Sequence, residues 1–530
     1  MENRYVNIPA EKFQFANLNE NIHDEKLKTK ARGYFADAFV RFRKNKSSVI
    51  AAWIIGFLIL FAIVSPIISP YDMNVKDNTF QNMPPFVESI ANLELGILDG
   101  SASYESQNQN QINSMKAISV ETGKNVIIGD PIPKIVKEIY RGQEREVTYY
   151  TVKVNAYYAK GMRNLVVSKE TYYDIQKFQN ETGIQVLYPV SEMKDIYPTL
   201  KKEQYPQKNA NIWYVCENAR NVAMLDENGN FIPAYTTNQS IHGDLTYNSL
   251  RIDGDPAKND PSADGYVYGV QKSGSVEIRA FYYNYFQYIN RNVEGGEVPF
   301  YLMGTDNFGR DLFCSIGMGA RFSLIFAVVV SAINLTIGAI YGAIQGYYGG
   351  IIDLALDRVS DILSGVPSIV VVTLFQLHLA EKVGPVVSFL FAFVLTGWIG
   401  MAALTRKQFY RFKGQEYIMA ARTLGANDRR LMFKHIFPNA IGTMITSCAL
   451  IIPGVISSET SLTYLGIINV SELVGTSIGA LMASGQASMS AAPHAMLYPA
   501  LFFSLLLISF NLFGNGLRDA FNPSTRGADE

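Results

Sequence analysis

Apolar residues in this chain are gathered into runs long enough to cross a bilayer, and one long polar tract separates the first run from the rest. Residues 48–69 read SVIAAWIIGFLILFAIVSPIIS, about the ~20 residues that one helical crossing needs. Five further runs lie at roughly 321–345, 362–380, 386–404, 441–465 and 496–513. Lipid offers no partners to backbone N–H and C=O groups, so each run must be helical. Between the first run and the others, residues 70–300 have the composition of a water-soluble protein. A mean hydropathy of +0.06 hides this division. The chain is therefore expected to be an all-α polytopic membrane protein of six transmembrane helices with one inserted α+β domain.

Charge sets the expected orientation. The basic cluster Arg41-Phe-Arg-Lys-Asn-Lys46 precedes the first run and keeps residues 1–47 inside by the positive-inside rule. That polar leader is too long for a cleaved signal peptide, so 48–69 reads as an uncleaved first span, ended by Pro66 and Pro70. The inserted domain, 70–300, then lies outside. The loop 405–440 falls inside, and it carries eight Lys and Arg against two acids, Glu416 and Asp428. Loops 381–385 and 466–495, which fall outside, hold one Lys and no Arg. A core of five spans covers 301–513, and the tail 514–530 is expected inside. The chain as a whole reads as a multi-pass protein of a bacterial-type cell membrane.

Within the insertion, Glu146–Ala156 and Asn211–Val215 read as strands and 169–181 as a helix. Clusters of Asn, Asp, Gly and Pro at 225–233 and 252–265 read as loops. Residues 101–115, polar and poor in apolar side chains, are expected to form a mobile loop. Cys216, Cys314 and Cys448 are too far apart for a disulfide framework or a zinc pattern, and read as small buried apolar residues. A net charge of −1 argues against a general nucleic-acid binder. Gly123-Lys124 is the only Gly-Lys pair and lacks the spacing of a phosphate loop. No nucleophile–base pair or metal-ligand cluster is evident, so no catalytic or metal residue is assigned.

Two stretches stand out. Gly338, Gly342 and Gly346 recur every fourth residue in the second span, a bare strip that lets another helix approach closely; Gly397 and Gly400 offer the same in the fourth span. Residues 411–441 read as two short helices around a turn. Tyr417, Ala420, Ala421 and Leu424 make one apolar stripe, and Gly425 is a left-handed stop. Asn427 is placed to cap the second helix, with Asp428 near its positive end. Leu431, Met432, His435 and Ile436 make the second stripe, interrupted by Pro438.

The 411–441 stretch resembles the "EAA" loop of importer-type ATP-binding-cassette permeases, with Ala420, Ala421, Gly425 and Pro438 at the family's spacing. Met419 stands where the family often has Glu, and His435 where an aliphatic residue is usual. Other segments resemble the C-type subunit of oligopeptide, dipeptide and nickel permeases. They are Gly304-Thr-Asp306 with Gly309-Arg-Asp311, then Gly319-Ala-Arg321. Gly346-Tyr-Tyr-Gly-Gly350 follows with Asp353, Arg358, Asp361 and Pro367. The remainder are Glu459, Leu462, Leu465 and Gly466, and Phe510-Asn511, Gly514, Gly516-Leu-Arg-Asp519 and Pro523.

The resemblance implies a type I ABC importer permease fold and a subunit that takes up oligopeptides or dipeptides. It further implies a second permease, two ATPase subunits that handle ATP and magnesium, and an external substrate-binding protein. The chain itself would bind no cofactor. Glu416, Tyr417, Ala420, Ala421, Arg422, Leu424, Gly425, Arg429 and Pro438 are the expected contacts to the ATPase, with lipid around the spans. Glu459 either lines the path or meets the binding protein, or forms a helix-packing hydrogen bond. Asp306, Arg310 and Asp311 either dock the binding protein or tie their own segment down. Import of nickel or a metal chelate is the alternative within the fold. A membrane-anchored extracellular receptor or adhesin is the alternative outside it.

Overall fold

The computed structural model describes residues 34–93, 95–192, 199–206, 212–218, 222–236, 249–250, 266–272, 274–468 and 475–521. Expectations on 1–33, 252–265 and 522–530, Pro523 among them, lie outside the described residues.

Helix α1 (Tyr34–Lys44) leads into α2 (Lys46–Ile68), whose cap Asn45 accepts from the Ser48 amide. The second span, α8, is numbered after five helices of the insertion: α3 (Glu88–Ala91), α4 (Gln109–Thr122), α5 (Ala156–Ala159), α6 (Lys169–Thr182) and α7 (Tyr282–Ile289). It runs Leu312–Tyr348 and is followed by α9 (Gly350–Ser364), α10 (Ser368–Val383), α11 (Pro385–Gly397) and α12 (Ile399–Lys413). The short α13 (Glu416–Thr423) and α14 (Asp428–Arg430) come next. Then α15 (Phe437–Tyr464), α16 (Ile478–Ala487) and α17 (His494–Phe521) complete the chain.

Among the described residues, five helical stretches are long and apolar enough to span a membrane: Lys46–Ile68, Leu312–Tyr348, Pro385–Lys413, Asp428–Tyr464 and His494–Phe521. The run expected at 362–380 is α10, which meets α9 at a 73° bend, and the bent pair makes the sixth span if taken as one. Pro367 stands at that bend, and the residue before a proline is driven out of helical geometry.

Pro66 does not end the first span; it lies inside α2, which stops at Ile68. Proline has no N–H to give the carbonyl four residues back, here Ala62. Arg321 of α8 supplies the missing donor, from Nε to Ala62 O at 2.6 Å, and its Nη2 also donates to Ile63 O. The helix therefore continues through its proline.

The glycine strip meets α12. A Cβ on Gly338 would come within 2.7 Å of Trp398 O, and one on Gly346 within 2.6 Å of Arg406 O. Between them a Cβ on Gly342 would strike Ala402 O. Three glycines four apart thus face three carbonyls four apart, and the two backbones touch directly. Gly397 likewise backs onto the Asn334 side chain, whereas Gly400 has nothing near it.

The insertion is an α+β lobe. Its strands are β1 (Phe86–Val87), β2 (Ser101–Gln107), β3 (Ile132–Tyr140), β4 (Gln143–Asn155), β5 (Met162–Ser168), β6 (Leu187–Tyr188) and β7 (Ser191–Glu192). They continue as β8 (Ser249–Leu250), β9 (Tyr266–Val267), β10 (Gly269–Lys272), β11 (Ser275–Phe281) and β12 (Phe300–Tyr301). One sheet has the order β2–β4–β3; a second runs β5–β11–β10–β8, with β6 on β11; β7 pairs with β9. The neck is β1 against β12, with Phe86 opposite Tyr301 and Val87 opposite Phe300.

The strand at 146–156 is β4 and the helix at 169–181 is α6. Of Asn211–Val215, residues 212–215 form no extended ladder; Tyr214 makes an isolated bridge to Pro233. Residues 225–233 turn back tightly, with Leu225 bridged to Phe231. The expected loop at 101–115 is a correction. It forms β2 and the first half of α4, whose capping box pairs Asn108 with Gln111 reciprocally. A polar segment with Asn followed three residues on by Gln is a helix start, and Ile112, Met115 and Ile118 bury the face that matters.

Candidate functional site

At the end of α8 reached by Tyr348, α12 passes into a short hairpin. Its first arm is α13. Its second arm is α14 continued through a π-helical stretch, Leu431–Ile436, into α15. Gly425 turns between them at φ +84° with open space around it, a conformation glycine takes without penalty. Asn427 caps the second arm by accepting from the Arg430 amide at 2.9 Å.

One expectation about this hairpin needs correcting. Pro438 does not interrupt the second arm; it sits where the π-helical stretch Leu431–Ile436 passes into α15, and the helix runs on. The stripe Tyr417, Ala420, Ala421 and Leu424 is turned mostly outward. The buried residue of α13 is Ile418, packed with Leu431, Met432 and Ile436. Tyr417 is 42 %, Met419 53 % and Leu424 88 % exposed. Ala421 is half-buried, while Glu416, Ala420 and Arg429 face solvent. Arg429, Pro438, Asn427, Arg430, Phe433 and Lys434 line an open concavity beside the turn.

The hairpin is fastened to the second span through one phenol. Tyr347 donates from its hydroxyl to Asp428 Oδ1 at 2.5 Å and accepts from Arg422 Nη2 at 3.2 Å. Arg422 lies before the Gly425 turn and Asp428 after it. Nearby, Arg406 holds Asp353 and Asp357 of α9 at 2.7 Å each, and Tyr410 donates to Asp353. Sequence reasoning missed Tyr347 and Arg406. The signal for Tyr347 was its place one residue past Gly346, but Tyr347 and Tyr348 cannot be ranked from sequence; Tyr347 is buried and Tyr348 exposed.

At the other end of α8, about 55 Å away by helical rise, the segment 304–311 forms a clasp. Gly304 and Gly309 have φ of +78° and +72°, and a Cβ on either would strike the backbone of Met83 or Asp77. Asp306 accepts from the amides of Phe308 and Arg310 and pairs with Arg310 Nη2 at 2.7 Å. Arg310 also reaches Gly475 O at 3.1 Å. Asp311 caps α8 and accepts from Ser69 Oγ at 2.5 Å. All three side chains are buried, so the local tie is the reading of Asp306, Arg310 and Asp311 that the geometry favours over docking. Burial pushes the Asp311 carboxyl up to about 6. Glu459 is fully buried and accepts from Ser323 Oγ at 2.8 Å, Thr463 Oγ1 at 3.2 Å and Thr460 Oγ1 at 3.3 Å. Its geometry is that of a packing hydrogen bond between α8 and α15.

Residues 319–527 match the family model described as the binding-protein-dependent transport system inner membrane component. Residues 33–85 match the N-terminal TM domain of oligopeptide transport permease C, which stops one residue short of the β1–β12 neck. The oligopeptide transport system permease protein OppC of Bacillus subtilis is 38 % identical over 223 residues, 42 % of this chain and 72 % of the relative. The dipeptide transport system permease protein DppC of the same organism is 36 % identical over 224 residues, 42 % of this chain and 68 % of the relative. OppC of Escherichia coli K12 is 33 % identical over 226 residues, 42 % of this chain and 72 % of the relative. Among solved structures, the MetNI methionine ABC transporter aligns with a TM-score of 0.31 and 14 % identity over 39 % of this chain and 96 % of that one.

The spans and the hairpin define a multi-pass permease subunit of a binding-protein-dependent ABC importer, not an enzyme in its own right. The chain belongs to the C-type oligopeptide and dipeptide transport permease family, with an added lobe between its first and second spans.

Proposed function

We propose that this chain pairs with a second, unlike permease and takes up oligopeptides or dipeptides. Two ATPase subunits burn ATP with magnesium, an external protein delivers the peptide, and the chain itself binds no cofactor. The observation that carries this reading is the outward apolar edge of α13. Tyr417 and Leu424 stand exposed on one side of the first arm, whose one fully buried residue is Ile418, and an exposed apolar edge at the tip of a hairpin is a docking surface. Ala420 allows close approach, Arg422, Arg429 and Glu416 flank the edge, and Gly425 and Pro438 set its shape. The peptide cargo is supported by the likeness to OppC and DppC.

The hairpin and both termini lie on the inner side of the cell membrane, as the basic loop 405–440 requires. The lobe then lies outside, where it contacts the delivering protein or the sister permease. ATP-driven closure of the ATPases moves the docked hairpins, and the spans tilt to switch which side of the pore is open. Differential contact in the two states is what gives nucleotide a hold on the pore.

The test is purification of the complex with its partners followed by uptake of labelled peptide. Gly425→Val forces a β-branched residue into a left-handed turn, at a strain of about 1–2 kcal/mol. It should leave the subunit in the membrane and abolish most uptake. Unimpaired peptide uptake would refute the coupling role, and nickel uptake in place of peptide uptake would refute the cargo.

A further inference from the structure

The Gly425 turn presents a mechanical difficulty. Force applied at Leu424 leaves this arm either back through Gly414 to α12 or onward through the Gly425 turn, and a Cβ at either glycine would meet nothing within 4 Å. Inside α13, only Ile418 is buried. Among the described residues, two side-chain bonds leave this arm: Arg422 to Tyr347 at 3.2 Å, and Tyr417 Oη accepting from Asn439 at 3.3 Å. The second arm is continuous with α15 and would carry motion there without help. The first arm would flex at its turn unless something held it to the spans.

We infer that the Tyr347 hydroxyl is a positioning group that locks both arms of the hairpin to α8. One oxygen accepts from Arg422 before the turn and donates to Asp428 after it. With the phenol in place, the two arms and the end of α8 move as one body. Lys413 Nζ adds a bond from the end of α12 to Tyr347 O at 3.4 Å. The Gly338–Gly342–Gly346 contact already welds α8 to α12. Displacement at the docking edge therefore passes into the second and fourth spans together, instead of being absorbed by the turn. This role rests on the ATPase-docking reading above.

The test removes the oxygen and keeps the ring. In the reconstituted complete complex, Tyr347→Phe should retain its ATPase subunits and hydrolyse ATP within about twofold of the parent. Peptide taken up per ATP should fall about tenfold, the size of a ~1.4 kcal/mol coupling loss. Asp428→Asn keeps an acceptor oxygen and should behave as the parent, whereas Asp428→Ala should behave as Tyr347→Phe. A readout independent of cargo uses spin labels at the exposed positions Thr423 and Tyr348. Their separation should be the same with and without ATP in the parent and should shift with ATP in Tyr347→Phe. A separation that shifts equally in both proteins, or unchanged uptake per ATP in Tyr347→Phe, overturns the inference. If the parent complex hydrolyses ATP without moving peptide, the cargo reading fails alone and the label distances still decide the role of Tyr347.

Discussion

Arg321 donates to the carbonyl of Ala62, the one acceptor in the first span that Pro66 leaves without its helical partner. A charged side chain on one span completes the backbone of another. Arg321→Ala should therefore destabilise the α2–α8 pair by about 2 kcal/mol, the scale for a charge-assisted bond. Pro66→Ala returns the N–H, so the double variant should lose less than the sum of its parts. Thermal unfolding of the four proteins in detergent measures the cycle; strict additivity would mean the guanidinium and the proline are unrelated.

The glycine contact between α8 and α12 gives a graded expectation. Gly342→Ala places its methyl against Ala402 O and Thr405 Cβ, neither of them the far end of a flexible side chain. Overpacking of this kind costs about 1–3 kcal/mol. Gly400→Ala meets open space and should be tolerated or slightly stabilising, because alanine favours helix. Comparing the melting temperatures of the two variants checks the register of the whole strip.

Much of this was readable in the sequence because spans announce themselves by length and apolarity, and Gly338, Gly342 and Gly346 by period. Pro66 was misread for one reason. Sequence shows what a residue removes from its own helix but not what a distant residue returns. Arg321 is 255 positions after Pro66 in the chain. Ile418 wins the buried position over Tyr417 and Leu424 because the second arm presents Leu431, Met432 and Ile436 to it, a choice that needs the hairpin closed. In the lobe, α4 was overlooked because its apolar residues Ile112, Met115 and Ile118 are few, and its cap was the better signal.

Asp311 makes the clasp sensitive to pH. Its carboxyl is raised from 3.8 to about 6 by burial, so the folded protein holds this proton more tightly than the unfolded chain does. The stabilisation is complete below about 4 and is lost as pH rises through about 6. Asp311→Asn keeps a capping oxygen without the charge. It should melt higher than the parent at pH 8, with the difference shrinking as pH falls to 5. A difference that does not change with pH would remove burial of the charge as its cause.

In the lobe, Arg279 of β11 pairs with Glu121 of α4 at 2.7 Å, with side chains 10 % and 6 % exposed. Arg279 also donates to Pro189 O and lies 5.1 Å from the Tyr235 ring centre. One buried guanidinium thus ties the β11 sheet to α4. Removing one partner strands the other, so Glu121→Ala should cost about 3–5 kcal/mol. The lobe should become sensitive to protease while the spans keep their melting temperature. Equal sensitivity in parent and variant would mean the pair contributes nothing.

The orientation can be tested with single cysteines. Ile139 on β3 is 79 % exposed and Leu424 on the hairpin 88 %. Of the native cysteines, Cys216 and Cys314 are buried and Cys448 is half-buried, so background labelling should be low. A membrane-impermeant maleimide on intact cells should label Ile139→Cys and leave Leu424→Cys untouched until the membrane is opened. The two sites report on different segments of one chain, and the first and second spans together must place them on opposite sides if the lobe and the hairpin lie at the two ends of α8. Labelling of Leu424→Cys in intact cells would put the hairpin where no ATPase can reach it, and the proposed drive of the pore would fail with it.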